Sequence, residues 1–196
     1  MTLRFRNLLP AIFIAAVPVI VHAQATDPAA AQIDAYHNAI IDIMKQGKSL
    51  GISGRTSRFE TIVRDYYDMQ TMTSLVVGAS WASANAGDRE HAIEALEHHS
   101  AVMLASNFVS YGGEQFKTEQ PVTSRGADKL VRATITSDKL IYRMRLNQGK
   151  WKIVDIISDG VSQLAVQRAD FSSTVASGGI PALVHKLTSL DAKAMK

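Results

Sequence analysis

The chain has 196 residues, of which 46% are hydrophobic and 20% are charged, a composition typical of a globular protein with a sizeable core. The formal net charge of +3 falls to about +1 when Arg4 and Arg6 are left out, so the sequence does not indicate a nucleic-acid-binding protein. Cysteine is absent, which excludes disulfide bonds, thiolate catalysis and lipid attachment to a cysteine.

Residues 1–23 have the pattern of a secretory signal peptide. Arg4 and Arg6 form a positive start, residues 8–21 are almost wholly apolar, and small residues follow near position 23. We therefore expect export from the cytoplasm and cleavage near residue 23. Residues 24–196 are then expected to form one soluble domain.

The first part of the mature chain is predicted to be helical. Asp27 caps a helix that apolar residues continue at helical spacing until Gly47 ends it. Residues 47–56 are rich in Gly and Ser and predict a loop. A second helix then runs to Tyr66.

Two further helices follow. Asp68 is predicted to begin a short helix that ends at Gly78, and Asp88 to begin the longest helix. Apolar residues in that longest helix lead towards Tyr111, after which Gly112 terminates it.

Apolar and polar residues alternate within residues 115–157, as they do in β-strands. In the strand around Tyr142 and Met144 these two side chains fall on one face, and Arg143 and Arg145 fall on the other. A turn at 147–150 leads to the next strand, and the spacing becomes helical again after residue 160. Short connections between consecutive strands indicate an antiparallel sheet.

The predicted fold class is therefore α+β: a curved antiparallel sheet of about four strands, covered by helices around an apolar cavity. A ligand would bind in the cleft between the two layers. The side chains that suit either a pocket wall or a solid core are bulky and apolar: Tyr66, Tyr67, Met69, Met72, Met103, Tyr142, Met144, Trp151, Leu164 and Phe171.

Arg168 is the candidate for recognising a polar group. It follows Leu164 by four residues and therefore lies in the apolar stripe of the last helical region. One interpretation is that its guanidinium binds an anionic or polar head group at the mouth of the cavity. The other is a structural ion pair with Asp155, Asp159 or Asp170.

Catalytic signatures are missing from the sequence. It contains no nucleophile elbow, no dinucleotide-binding motif and no phosphate-binding loop. His91, Glu94 and His98 share one helix face but match no metal-site spacing, so they are interpreted as a solvated polar face. Asp155 is the one residue that suits a catalytic base.

Several segments, in this order and spacing, resemble the MlaC family, also called the toluene-tolerance family. The segments are Ala79-Ser80-Trp81, residues 111–116, residues 149–155 and residues 159–162. The tail at residues 162–171 and 178–180 is most similar to the hopanoid-associated branch, HpnM. The phospholipid-carrying branch usually has Asn-Tyr-Arg where this chain has Val166-Gln167-Arg168.

The resemblance implies a nuclear-transport-factor-like fold whose cavity holds lipid tails, and a monomer that needs no cofactor because the lipid is its cargo. Members of the family shuttle lipid through the periplasm, between an inner-membrane ABC transporter complex and an outer-membrane complex. The cargo implied is a phospholipid or a hopanoid. The alternatives are a small enzyme on the same fold that uses a cavity carboxylate, Asp155, and a structural adaptor with a filled core.

Overall fold

The computed structural model describes residues 26–196, so the predicted signal peptide lies outside the described part of the chain. Helices stand at both ends: α1 Pro28–Tyr66, α2 Met69–Val77, α3 Ser80–Ser83, α4 Ala86–Asn107 and α5 Gln163–Ala194. Strands lie between α4 and α5: β1 Phe116–Thr118, β2 Thr123–Arg125, β3 Asp128–Ile135, β4 Asp138–Asn147, β5 Lys150–Ser158 and β6 Val161–Ser162. Within residues 26–196, no helix combines the length and the apolarity needed to cross a membrane.

The strands form one antiparallel sheet with the order β1-β3-β4-β5-β6, and β2 also pairs with β3. The α+β fold with an antiparallel sheet and covering helices is thus confirmed. The sheet has six strands in this part of the chain where about four were expected. The first part of the alternating region, residues 115–122, forms only the short β1, and Pro121 cannot donate the hydrogen bond that would extend this strand. The two additional strands, β2 and β6, have three and two residues.

The predicted loop at residues 47–56 is wrong, because α1 continues through Gly47 to Tyr66 and is interrupted only at Gly51, with φ 62° and ψ 179°. Gly47 does not end the helix but allows a close approach. A Cβ atom at this position would lie 1.9 Å from the carbonyl oxygen of Val109. Arg55, in the same stretch, is buried and donates hydrogen bonds to the carbonyl oxygens of Gly47 and Ala105 at 2.9 Å each.

Other helix boundaries agree with the sequence only in part. Asp68 caps α2 and Gly78 ends it, as predicted. The cap of α4 is Asn85 instead of Asp88, because the Asn85 side chain accepts a hydrogen bond from the Asp88 backbone N–H at 2.8 Å. Helix α4 ends at Asn107, several residues before the predicted end, and both α1 and α5 are longer than α4. Helix α5 is broken at Gly179, so its two halves can pack in different directions.

The two faces of the sheet have different neighbours. On the core face, Tyr142 and Met144 are buried, and the Tyr142 hydroxyl lies 3.0 Å from Nε2 of His37 on α1. Successive side chains of a strand point to opposite faces, so Ile141 and Arg143 lie on the other face. Ile141 and Arg143 pair with residues of β3 and β5, and these pairs form one side of the candidate site.

Candidate functional site: a cavity beside the sheet

A cavity of about 560 Å³ lies beside the sheet, bordered by α2 and the first turns of α5. We refer to it as the sheet cavity. Its apolar lining consists of Leu75, Leu130, Ile141, Ile157, Leu164 and Ala165. Its polar lining consists of Arg125, Arg143, Asp155, Ser162 and Arg168.

Strand register explains why residues from β3, β4 and β5 meet in the sheet cavity. Leu130 pairs with Arg143, and Arg143 pairs with Asp155, so these three form one row across the sheet. Ile141 pairs with Ile157 in the next row on the same face. Directly paired residues lie on the same face of a sheet. We call the face that carries Leu130, Ile141, Arg143 and Asp155 the cavity face.

Asp155 attaches the start of α5 to the sheet. Its carboxylate accepts hydrogen bonds from the Ser162 hydroxyl at 2.7 Å and from the Leu164 backbone N–H at 3.1 Å. Ser162 in turn caps α5, because its Oγ accepts a hydrogen bond from the Ala165 N–H at 3.0 Å. Carboxylates are stabilised at helix N-termini by the unpaired N–H groups there. Asp155 therefore fixes the wall of the sheet cavity, and both of its oxygens already accept hydrogen bonds.

The arginines of the sheet cavity are poorly neutralised. Nε of Arg143 lies 4.0 Å from Oδ2 of Asp128, but that carboxylate already accepts two hydrogen bonds from Arg145, at 2.7 and 3.0 Å. Arg168 is exposed and forms no ion pair within residues 26–196, so the predicted structural pairs with Asp155, Asp159 and Asp170 are not formed there. The sheet cavity thus combines an apolar floor with cationic groups.

The structure brings only two of the predicted lipid-binding residues together at the sheet cavity, namely Arg168 and Leu164. Four others are buried in the hydrophobic core: Met69, Met72, Tyr142 and Met144. Tyr66 and Trp151 are half-buried and pack against that core. Met103 and Phe171 border a separate groove between α4 and α5. A role for these eight residues in binding lipid stays a prediction.

The core face is filled by an aromatic cluster. The Tyr36 and Tyr67 hydroxyls lie 2.7 Å apart, and the Tyr36 and Tyr142 rings meet edge to face at 5.9 Å. Burial raises the pKa of Tyr67 to about 12 and raises that of Tyr142 further. Burial also lowers the pKa of His37 to about 4, so this histidine is neutral at pH 7. The aromatic side chains therefore form solid core on this face.

The α4 face that carries His91, Glu94 and His98 contacts α1 and borders a groove. Nδ1 of His98 lies 2.8 Å from Oε1 of Glu60 on α1, which makes a link between helices. His91, Glu94 and His98 border a groove of about 670 Å³ together with residues of α5. In the part of the chain from residue 26 onwards, no three His, Cys, Asp or Glu side chains are arranged to hold a metal ion.

Residues 34–189 match the family model described as MlaC protein. The chain belongs to the MlaC family. A solved structure with a similar fold is that of the phospholipid-binding protein from Ralstonia solanacearum, in complex with a phospholipid. The two chains are 19% identical with a TM-score of 0.69, and the match covers 87% of this chain and 100% of that one. No curated protein gives a significant match.

In this MlaC family member, sequence reasoning missed Arg125 and Arg143 as cavity residues. The alternation places Arg143 on the polar face of its strand, which is correct, but it does not show that α2 and α5 cover that face. The one signal in the sequence is the position of Asp155 shortly before the start of α5; the pairing of Arg143 with Asp155 follows from an irregularity between Arg143 and Met144, which the sequence does not show. A helix anchored at Asp155 has to cover this face of the sheet.

Proposed function

We propose that this protein is a periplasmic lipid carrier that holds its cargo in the sheet cavity. The observation that carries the proposal is the cavity itself, which has an apolar floor and three arginines around it. Membership of the MlaC family and the fold shared with a phospholipid-binding protein support it. A volume of about 560 Å³ lies within the roughly 300–1,000 Å³ that is usual for small-molecule sites.

The physical need for such a carrier follows from the hydrophobic effect. Exposing a lipid chain to water costs about 0.8 kcal/mol per methylene, so one long chain meets a barrier above roughly 10 kcal/mol. A protein cavity that replaces the bilayer removes most of this cost. Transfer between two apolar environments has a small net free energy, so the direction of transport must come from other components. Such a carrier works without chemical catalysis.

The finer proposals follow from the family. The cargo is a phospholipid or, as the similarity of the tail to the hopanoid-associated branch suggests, a hopanoid. The carrier moves between an inner-membrane ABC transporter complex and an outer-membrane complex, as a monomer, and it reaches the periplasm through the signal peptide of residues 1–23. Arg168 and Leu164 are the residues we assign to cargo binding first, because both line the sheet cavity.

The structure gives no specific support to the two alternatives. An enzyme would use Asp155 as its base, but both oxygens of that carboxylate accept hydrogen bonds from the start of α5. An adaptor with a filled core would have no cavity beside the sheet, whereas this chain has one. We therefore propose binding and transport of lipid, without catalysis.

The test is organic extraction of the purified mature protein, followed by mass spectrometry of the extract. Ala165→Trp places an indole ring in the sheet cavity, and we expect it to reduce the bound lipid at least several-fold. Val166→Trp is the matched control, because Val166 is the next residue on α5, is 40% exposed and does not line the cavity. Equal lipid content in both variants and in the wild type would place the lipid elsewhere, and absence of lipid from the wild type would argue against a carrier.

A further inference from the structure

The cavity face of the sheet carries an excess of basic residues. Strand register places these basic residues on it: Lys117, Arg125, Arg132, Lys139, Arg143 and Arg145. On β3, β4 and β5 the acidic residues of the same face are Asp128 and Asp155. A face with one sign of charge beside an apolar cavity concentrates ligands of the opposite charge.

Both acidic groups are already engaged. Asp128 accepts two hydrogen bonds from Arg145, and Asp155 accepts hydrogen bonds from Ser162 and Leu164 at the start of α5. Asp128 is therefore neutralised by Arg145, whereas Asp155, whose partners are neutral, offsets one of the three cationic groups that line the sheet cavity and leaves an excess of positive charge there. These groups are Arg125 from β2, Arg143 from β4 and Arg168 from α5.

An unpaired hydrogen-bond donor on Arg143 indicates that the sheet cavity binds an anionic ligand. Its Nε atom is buried and has no hydrogen-bond partner within residues 26–196. The nearest carboxylate oxygen, on Asp128, is 4.0 Å away, beyond the range of a hydrogen bond. A buried donor without a partner is unfavourable, so an acceptor that enters the cavity relieves this penalty without displacing a hydrogen bond that the donor already makes.

We propose that the sheet cavity selects lipids whose head group carries a net negative charge, and that Arg125, Arg143 and Arg168 bind its phosphate. This inference rests on the proposed lipid-carrying function and names the class of cargo. Guanidinium groups bind phosphate oxygens through paired hydrogen bonds, so arginines on a strand and on a helix can hold one phosphate from two sides. The apolar part of the lipid lies against Leu130 and Ile141.

The proposal distinguishes between the two cargoes that the family suggests. A hopanoid has a rigid polycyclic body and mostly uncharged substituents, so it would leave Nε of Arg143 without an acceptor. A zwitterionic phospholipid offers a phosphate but also brings a cation close to the arginines. An anionic phospholipid satisfies both the hydrogen bonds and the charge.

The experiment compares phosphatidylglycerol with phosphatidylcholine of the same acyl chains. Delipidated mature protein is incubated with vesicles of each lipid and separated from them, and the lipid bound to the protein is measured over a range of concentrations. We expect the wild type to prefer phosphatidylglycerol by about tenfold or more, because its head group lacks the cation that phosphatidylcholine brings close to the arginines. Arg143→Gln and, separately, the exposed Arg168→Gln should weaken both lipids, because both offer a phosphate, but should weaken phosphatidylglycerol more and so reduce the preference at least severalfold, because each variant removes positive charge from the sheet cavity.

The matched control is Arg58→Gln, which removes an exposed arginine of α1 that does not line the sheet cavity, and it should keep the preference. Circular dichroism verifies that each variant is folded, and the exposed position of Arg168 keeps the test valid if Arg143→Gln does not fold. Equal binding of both lipids by the wild type would overturn the head-group proposal while the carrier function stands. Binding of neither lipid would overturn the head-group proposal together with a phospholipid cargo, and the lipid extracted from the purified protein then decides on the carrier function. A third arm uses inorganic phosphate alone: binding as tight as that of phosphatidylglycerol would show a site for a free anion and overturn the lipid assignment.

Discussion

Asp155 allows a direct test of whether the carboxylate of the sheet cavity anchors α5 to the sheet. It is 5% exposed and accepts hydrogen bonds from Ser162 and Leu164. Hydrogen bonds to charged groups contribute about 1.5–3 kcal/mol each, so Asp155→Ala, which removes both, should lower the free energy of unfolding by about 3 kcal/mol or more. For a domain of this size that corresponds to a decrease in Tm of about 6–12 °C.

Urea denaturation followed by circular dichroism measures this loss, and an unchanged m-value would show that the variant still unfolds from a native-like state. Asp155→Asn retains one acceptor oxygen and should lose about half as much. Asp170→Ala is the control, because Asp170 is an exposed carboxylate on the same helix and its side chain makes no hydrogen bond in the described chain. If Asp155→Ala unfolds within about 0.5 kcal/mol of the wild type, Asp155 does not anchor α5, and the hydrogen bonds to Ser162 and Leu164 do not hold the wall of the sheet cavity.

Two further predictions concern the core. Gly47→Ala should gain about 1 kcal/mol of helix propensity. It should lose more stability through overpacking, because the new Cβ would lie 1.9 Å from the carbonyl oxygen of Val109. Thermal unfolding should therefore show a lower Tm, and a higher Tm would contradict this close contact. For His37, burial lowers the pKa to about 4, so the unfolded state binds more protons between about pH 4 and pH 6.5. The free energy of unfolding should therefore fall by about 3 kcal/mol as the pH decreases through this window, and His37→Gln should flatten the dependence in urea titrations at several pH values. The same slope in the variant would show that another group is responsible.

Much of the secondary structure could be predicted because its determinants are local. The turn between β4 and β5 has positive φ at Gln148 and Gly149, and the sequence around them indicates such a turn directly. Asp68 and Gly78 likewise begin and end α2 as expected. Gly47 misled the prediction because its function depends on Val109, a residue that is distant in sequence.

The location of the candidate site could be predicted only in part. Large apolar side chains fill a core and line a pocket equally well, so Tyr142 and Met144 suited both roles until the structure placed them on the core face. Arg168 was found because a charge within an apolar stripe is unusual. Arg143 was missed because period-two alternation shows that two faces differ, but does not show that a helix covers the polar one.

The sheet cavity depends on how α5 is attached at its two ends. An apolar gap between a helix and a sheet tends to close, because protein interiors pack densely and every lost contact is unfavourable. In this chain the start of α5 is attached to β5 through Asp155, and its second half is attached to α4 through Asp191, whose Oδ1 lies 2.6 Å from Nδ1 of His99. The break at Gly179 separates the two halves, so each can follow its own anchor. These directional polar contacts fix the position of the helix, and the apolar residues between it and the sheet are therefore available to a lipid.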